Sequence, residues 1–177
     1  MSATTIGYNI AVKSMNIVNG KYFCITEDLD DNADEKLLVS DDFETWETAK
    51  VNGICNRILP GISYIRGVYA LICRKKYDKG LYTILYSIDA INWYVSELNN
   101  ILFIGNLSGH DNVLCCVYSF DSKKMKIAYS TNGRNWNKVD NYESCRNIEY
   151  LHYDKGKIYI VDNNEKSATA LTLHVNL

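Results

Sequence analysis

The sequence predicts an all-β fold, a four-bladed β-propeller in which an N-terminal strand completes the last blade. Three observations predict it. A seven-residue box occurs three times at nearly constant spacing. Short apolar runs, four to a unit, sit between polar turns. No stretch of useful length shows apolar residues at the three-to-four-residue recurrence of an amphipathic helix.

The boxes are Ser40-Asp-Asp-Phe-Glu-Thr-Trp46, Ser87-Ile-Asp-Ala-Ile-Asn-Trp93 and Ser130-Thr-Asn-Gly-Arg-Asn-Trp136. They account for all 3 tryptophans of the chain. From Ser40 to Ser87 is 47 residues and from Ser87 to Ser130 is 43, the period of a four-stranded propeller blade. Each box follows a strand-like run: Lys36-Leu-Leu-Val39, Tyr82-Thr-Ile-Leu-Tyr86 and Lys126-Ile-Ala-Tyr129. It therefore belongs on a hairpin turn. Asp42, Asp89 and Asn132 are suited to accept hydrogen bonds from backbone N–H groups two residues on. Gly133 permits positive φ in the third copy. Trp46, Trp93 and Trp136 then leave the turn as large flat groups to wedge against the neighbouring blade.

Two further apolar runs precede each of those strands. They are Met15-Asn-Ile-Val18 and Tyr22-Phe-Cys-Ile25, then Ile62-Ser-Tyr-Ile65 and Val68-Tyr-Ala-Leu-Ile-Cys73, then Ile101-Leu-Phe-Ile104 and Val113-Leu-Cys-Cys-Val-Tyr118. β-branched and aromatic residues bounded by Gly, Asn and Asp mark strands. A fourth unit starts at Ile148-Glu-Tyr-Leu151 and ends one strand short, without a box. A strand over 4–12 is available to complete it, closing the ring and protecting the sheet edges. The blades are expected at about 14–51, 57–98, 101–140 and 145–177 plus 4–12, in one domain.

The chain has 177 residues, enough for one domain with a large core. Apolar residues make up 47% and the formal net charge is -2. Such balance speaks against a nucleic-acid partner, which favours a basic patch. No apolar run approaches the roughly 20 residues of a membrane span, so no membrane insertion is expected. The N-terminal residues lack the basic end and apolar stretch of a signal peptide, so the expected place of synthesis is a reducing cytoplasm. In that setting Cys24, Cys55, Cys73, Cys115, Cys116 and Cys145 are read as buried free thiols. No Cys/His spacing fits a zinc site, and no metal or other cofactor is read from the sequence.

The boxes resemble a short variant of the Asp box, the repeat of sialidases and other β-propellers, in the form seen in bacterial and phage propellers. The usual box has Trp seven residues after Ser; here the spacing is six, and only Ser130–Trp136 keeps a glycine. In the family these turns lie on the rim and are architectural. Sialidase sites need an arginine cluster at matching blade positions. Arg57, Arg66, Arg74, Arg134 and Arg146 do not supply one.

Candidate sites follow from loop chemistry. The loop Asp28-Leu-Asp-Asp-Asn-Ala-Asp-Glu35, with Asp30 and Asp31, offers oxygen ligands of the kind Ca²⁺ takes. It lacks the twelve-residue calcium-loop pattern and is read as a solvated tip. The matching loop of the next unit, Arg74-Lys75-Lys76, is basic, which suggests charge matching between units or to a partner. The loops between blades carry Asn52, Arg57, Asn99, Asn100, Tyr142 and Arg146, a set suited to sugar hydroxyls or a protein surface. His110, His152 and His174 lie far apart in sequence. His110 and Asp111 are neighbours, but adjacent residues of an extended segment point opposite ways. No nucleophile elbow or phosphate loop is present.

These features lead to an expectation of a non-enzymatic structural or attachment component of a larger assembly, a phage or phage-tail-like particle, with protein partners. The alternative is a carbohydrate-binding, lectin-like module for a surface glycan. A glycoside hydrolase is the remote alternative.

Overall fold

Runs rich in β-branched and aromatic residues pair here into antiparallel ladders, because such side chains pack well on a pleated surface. The structure is a computed structural model that describes residues 10–28, 34–51, 55–77, 80–121, 124–139, 148–162 and 167–172. Among them there is no helix. The fold is all-β, as predicted.

The first sheet has β1 (Ile10–Val18), β2 (Lys21–Asp28), β3 (Lys36–Ser40) and β4 (Glu47–Thr48) in sequential order. The second repeats it with β5 (Cys55–Ile65), β6 (Val68–Lys75), β7 (Tyr82–Ser87) and β8 (Tyr94–Val95). The third has β9 (Phe103–His110), β10 (Val113–Ser119), β11 (Lys126–Ser130) and β12 (Asn137–Lys138). The fourth has β13 (Ile148–Asp154), β14 (Lys157–Asp162) and β15 (Ser167–Thr172).

In each sheet the first two strands are joined by a two-residue turn with φ positive at both positions: Asn19-Gly20, Arg66-Gly67, Asp111-Asn112 and Lys155-Gly156. This is the turn whose twist matches that of the flanking strands. The third copy does it without glycine, at φ 45° and 67°.

Consecutive sheets bury their faces against each other, and strand alternation decides which residue faces which neighbour. On β10, Leu114, Cys116 and Tyr118 pack with Ala70, Ile72 and Ile84 of the second sheet. Val113, Cys115 and Val117 pack with Leu151, Ile158 and Ile160 of the fourth. Likewise Tyr69, Leu71 and Cys73 of β6 meet Phe23, Ile25 and Leu37 of the first sheet. Strands β6 and β10 are thus covered on both faces. This explains why β10 reads as a continuous apolar run.

Three expectations are corrected. Ile10–Val12 belongs to β1 and pairs with Thr26–Asp28 of the first sheet, across a bulge between Val12 and Ser14. Those residues of the expected 4–12 strand therefore extend the first hairpin. Residues 4–9 lie outside the described residues.

Not all cysteines are free. Cys55 and Cys73 form a disulfide, because the antiparallel pairing of β5 and β6 brings their Cα atoms to 5.8 Å. Cys24, Cys115 and Cys116 are buried thiols, and burial pushes Cys115 up to about 12. Cys145 lies outside the described residues.

The acidic loop is not wholly solvated. Glu35 is buried, accepts the Ile58 N–H at 2.6 Å and is paired with Lys13 of β1. The Glu27 and Glu35 carboxylates raise the pKa of Lys13. A buried carboxylate persists only when its charge is met in this way. Asp34 pairs with Lys76, so the acidic and basic loops meet within the chain. Asp30 and Asp31 lie outside the described residues.

The disulfide closes a loop with a sequence separation of 18 residues. Reduction is expected to lower the unfolding free energy by about 3 kcal/mol. Urea melts with and without dithiothreitol, with Cys55→Ala as the reference, check this. Coincident midpoints would contradict it.

Candidate functional site

The three boxes fold into one hydrogen-bonded turn. The serine Oγ accepts the N–H of the fourth residue, Phe43, Ala90 or Gly133, at 2.9 Å in each copy. The same hydroxyl donates to Asp42, Asp89 or Asn132, at 3.0, 2.9 and 3.3 Å. That side-chain oxygen then accepts the next two N–H groups: Glu44 and Thr45, Ile91 and Asn92, or Arg134 and Asn135. Short polar side chains are favoured here because they replace backbone partners. N–H groups of Thr45 and Glu44, with the Thr45 and Ser40 hydroxyls, hold the Asp42 carboxyl well below the usual carboxylate range. At Asp89 partial burial opposes the charge. The Asn92 amide, the Asn92 and Ile91 N–H groups and the Ser87 hydroxyl outweigh it and lower the pKa to about 2.

The fourth residue has positive φ in every copy, at 66°, 68° and 71°. Trp93 is fully buried between the first two sheets and donates its indole N–H to Ala90 O at 2.7 Å. Trp136 packs against the cluster between the second and third sheets and donates to Gly133 O at 3.1 Å. Trp46 is half-buried and packs edge-on to Phe43, which packs edge-on to Tyr22.

Beside Trp46 lies a cavity of about 320 Å³. Its walls are Lys21, Val39, Ser40, Asp41, Thr45, Trp46, Glu47 and Ile91. The first box supplies half of them, Ser40, Asp41, Thr45 and Trp46. Lys21 arrives because β2 pairs with β3 in the register Tyr22 to Ser40, and its Nζ meets Asp41 Oδ1 at 2.5 Å. Ile91 arrives from the second box, held by Lys50 N–H to Ile91 O at 2.6 Å. The cleft therefore offers an aromatic wall, two carboxylates, an ammonium and a threonine hydroxyl.

Of the residues predicted from sequence, Ser40 and Trp46 line this cleft and Asp42 holds its turn. Ser87, Asp89, Trp93, Ser130, Asn132 and Trp136 build the other two turns. The interblade set is not brought together there. Asn99 donates its amide to Ser96 O and Glu97 O. Asn100 accepts from Lys75. Arg57 is exposed on β5, opposite Arg74 of β6. Asn52, Tyr142 and Arg146 lie outside the described residues.

Lys21, Asp41, Thr45 and Glu47 were not singled out from sequence. Asp41 and Thr45 lie inside a box and Glu47 next to it, which was the available signal; Lys21 carried none. A fourth Ser-x-Asp turn was also missed: Ser119 donates to Asp121 at 3.2 Å, and Asp121 accepts the Lys124 N–H at 3.1 Å. It joins β10 to β11 and lacks a tryptophan.

His110 and Asp111 do face each other, Nδ1 to Oδ1 at 3.3 Å. Alternation does not apply, because Asp111 enters the turn at positive φ. The ring of His152 lies 4.9 Å from that of His110. His174 lies outside the described residues.

No family model matches the chain, and no curated protein matches it at a significant level. Solved structures resemble it in fold. A GH32 beta-fructofuranosidase of Bombyx mori is 17% identical, with TM-score 0.44, over 84% of this chain and 41% of that one. A GH43_1 enzyme of Xanthomonas citri complexed with xylotriose is 11% identical, with TM-score 0.47, over 86% and 66%. A family 117 glycoside hydrolase of Zobellia galactanivorans is 13% identical, with TM-score 0.45, over 92% and 66%. This chain thus spans 41% of the first and 66% of the other two. The likeness carries no residue's role to this chain. By name these neighbours are enzymes, and on that finding the expectation of a non-enzymatic structural or attachment component of a phage or phage-tail-like particle is corrected.

The Asp89 turn makes a pH-dependent contribution. Its carboxyl titrates lower in the folded chain than the unfolded value of about 3.9. The stabilisation is present above about pH 4 and is lost as pH falls towards 2. Acid unfolding of Asp89→Asn, followed by circular dichroism, is expected to show a flatter dependence over that window than wild type. Superimposable profiles would contradict the assignment.

Proposed function

We propose that this chain binds carbohydrate in the cleft beside Trp46. One observation carries the reading: a half-buried indole shares a concave cavity of about 320 Å³ with Lys21, Asp41, Thr45 and Glu47. That size lies at the lower end of ligand pockets, roughly 300–1,000 Å³. A sugar ring has an apolar C–H face and a rim of hydroxyls. The indole offers a flat apolar surface to the face. The carboxylates accept from hydroxyls, and the ammonium and threonine hydroxyl donate to them. Hydrogen bonds to charged groups are among the stronger ones, about 1.5–3 kcal/mol each. The box turns act as the scaffold, with Asp42 holding the cleft's own turn.

A second reading, hydrolysis of the bound glycoside, is favoured by the two carboxylates, Asp41 and Glu47, in one cleft. A carboxylate pair is the group set for that chemistry.

A glycan array followed by calorimetry tests both. Trp46→Ala is expected to weaken the best glycan at least tenfold, about 1.4 kcal/mol. Tyr94→Ala, an exposed aromatic outside the cleft, is expected to leave affinity unchanged. Binding indifferent to Trp46→Ala would sink the assignment. For hydrolysis, Glu47→Gln is expected to abolish turnover and retain binding. A wild-type chain that binds without turnover would remove the second reading.

The proposal includes a single domain closed as a four-bladed propeller of the Asp-box type. Its support is the shared strand order of the first three sheets and the three-stranded fourth. Amide hydrogen exchange along β15 tests it. Protection of successive amides is expected, and protection of alternate amides only would contradict closure.

A further inference from the structure

Two turns meet at the edge between the third and fourth sheets. His110 ends β9 and Asp111 opens the turn after it, while Asp154 ends β13 and Lys155 opens the turn after that. They are tied by the Lys155 N–H, which donates to Asp111 Oδ2 at 3.2 Å. Ligand atoms of His110, Asp111 and Asp154 all lie within 4.8 Å of one another. His110 and Asp111 are exposed and Asp154 is half-buried, so water has access to complete a coordination sphere. A second imidazole, His152, lies against His110, with ring centroids 4.9 Å apart, and is itself stacked on Tyr150.

We propose that His110, Asp111 and Asp154 form a binding site for a divalent transition metal of the zinc type. The donor set decides the class. Imidazole with carboxylates suits zinc and its neighbours in the first transition row. Calcium and magnesium take oxygen ligands. The geometry is close to what is needed. Tetrahedral ligands at about 2.1 Å from zinc stand roughly 3.4 Å apart. Nδ1 of His110 and Oδ1 of Asp111 are already at 3.3 Å. The three ligand atoms, within 4.8 Å of one another, close on a shared ion by side-chain adjustment.

The metal has a structural consequence. Asp111 is one of two successive non-glycine residues at positive φ. The ligands come from two sheets, so an ion here clasps the third sheet to the fourth. It would add a bond between these neighbouring sheets beside their apolar packing and the Lys155–Asp111 hydrogen bond.

The full chain, stripped with chelator and free of any histidine tag, is titrated with zinc chloride by calorimetry and by thermal melting. The expected result is a saturable site at 1:1. The melting temperature should rise by roughly 5–10 °C at a hundredfold excess over Kd. Both His110→Ala and Asp154→Asn should weaken binding at least tenfold, with metal-free melts close to wild type. Lys157→Ala, on the neighbouring strand, should bind as wild type does. Absence of a zinc-dependent shift, a shift that survives in both variants, or calcium binding equally well with His110→Ala indifferent, would each overturn the proposal.

Discussion

The structure depends on a backbone connection that crosses from one sheet to the next. Past β4 the chain donates the Lys50 N–H to Ile91 O at 2.6 Å and accepts the Trp93 N–H at 3.2 Å. Past β8 the Glu97 N–H reaches Arg134 O at 2.9 Å. In both cases the acceptor or donor is a box turn of the following sheet. The box therefore serves two purposes. It reverses its own hairpin, and it offers main-chain groups at a fixed place to the preceding sheet. Under each junction a tryptophan fills the space, and truncating one as buried as Trp93 costs about 3–5 kcal/mol.

The same turn is used differently in its three copies, and the fourth residue shows how. At Gly133 an added Cβ would stand 2.8 Å from Val68 Cγ1 and 3.2 Å from Tyr86 Cβ, so no side chain fits. Ala90 is fully buried. Phe43 holds the same positive φ, a conformation that costs an L-residue roughly 1–2 kcal/mol, yet the residue is 44% exposed. The second and third copies are closed over by neighbouring sheets. The first turns an aromatic pair, Phe43 and Trp46, towards solvent with Lys21, Asp41 and Glu47 around the tryptophan. Among the described residues, the first copy of this architectural repeat presents its tryptophan as a wall of the cavity.

How much of this was legible follows from the kind of signal. The strands and box turns were legible, because Ser-x-Asp followed by Trp is a local hydrogen-bonding pattern repeated in register. The double-sided burial of β10 was visible as its unbroken apolar run. Long-range facts were not visible. The Cys55–Cys73 bridge depends on a bulged register between β5 and β6. The burial of Glu35 depends on Lys13 and the Ile58 N–H, which reach it from two other strands. His110 and Asp154 are 44 residues apart and meet only because turns of consecutive sheets fall at one end. The cleft was half legible: Trp46 was marked as architectural, and its polar neighbours went unmarked because ordinary charged residues flank many turns.

The most direct measurement is a two-dimensional ¹H–¹⁵N spectrum of the three indole N–H groups, recorded during titration with the tightest glycan. Trp93 and Trp136 donate internally to Ala90 O and Gly133 O. Their resonances are expected to stay in place while that of Trp46 moves and saturates. Movement confined to the side-chain amides of Asn99 and Asn100, with a stationary Trp46 indole, would place the ligand elsewhere and contradict the account.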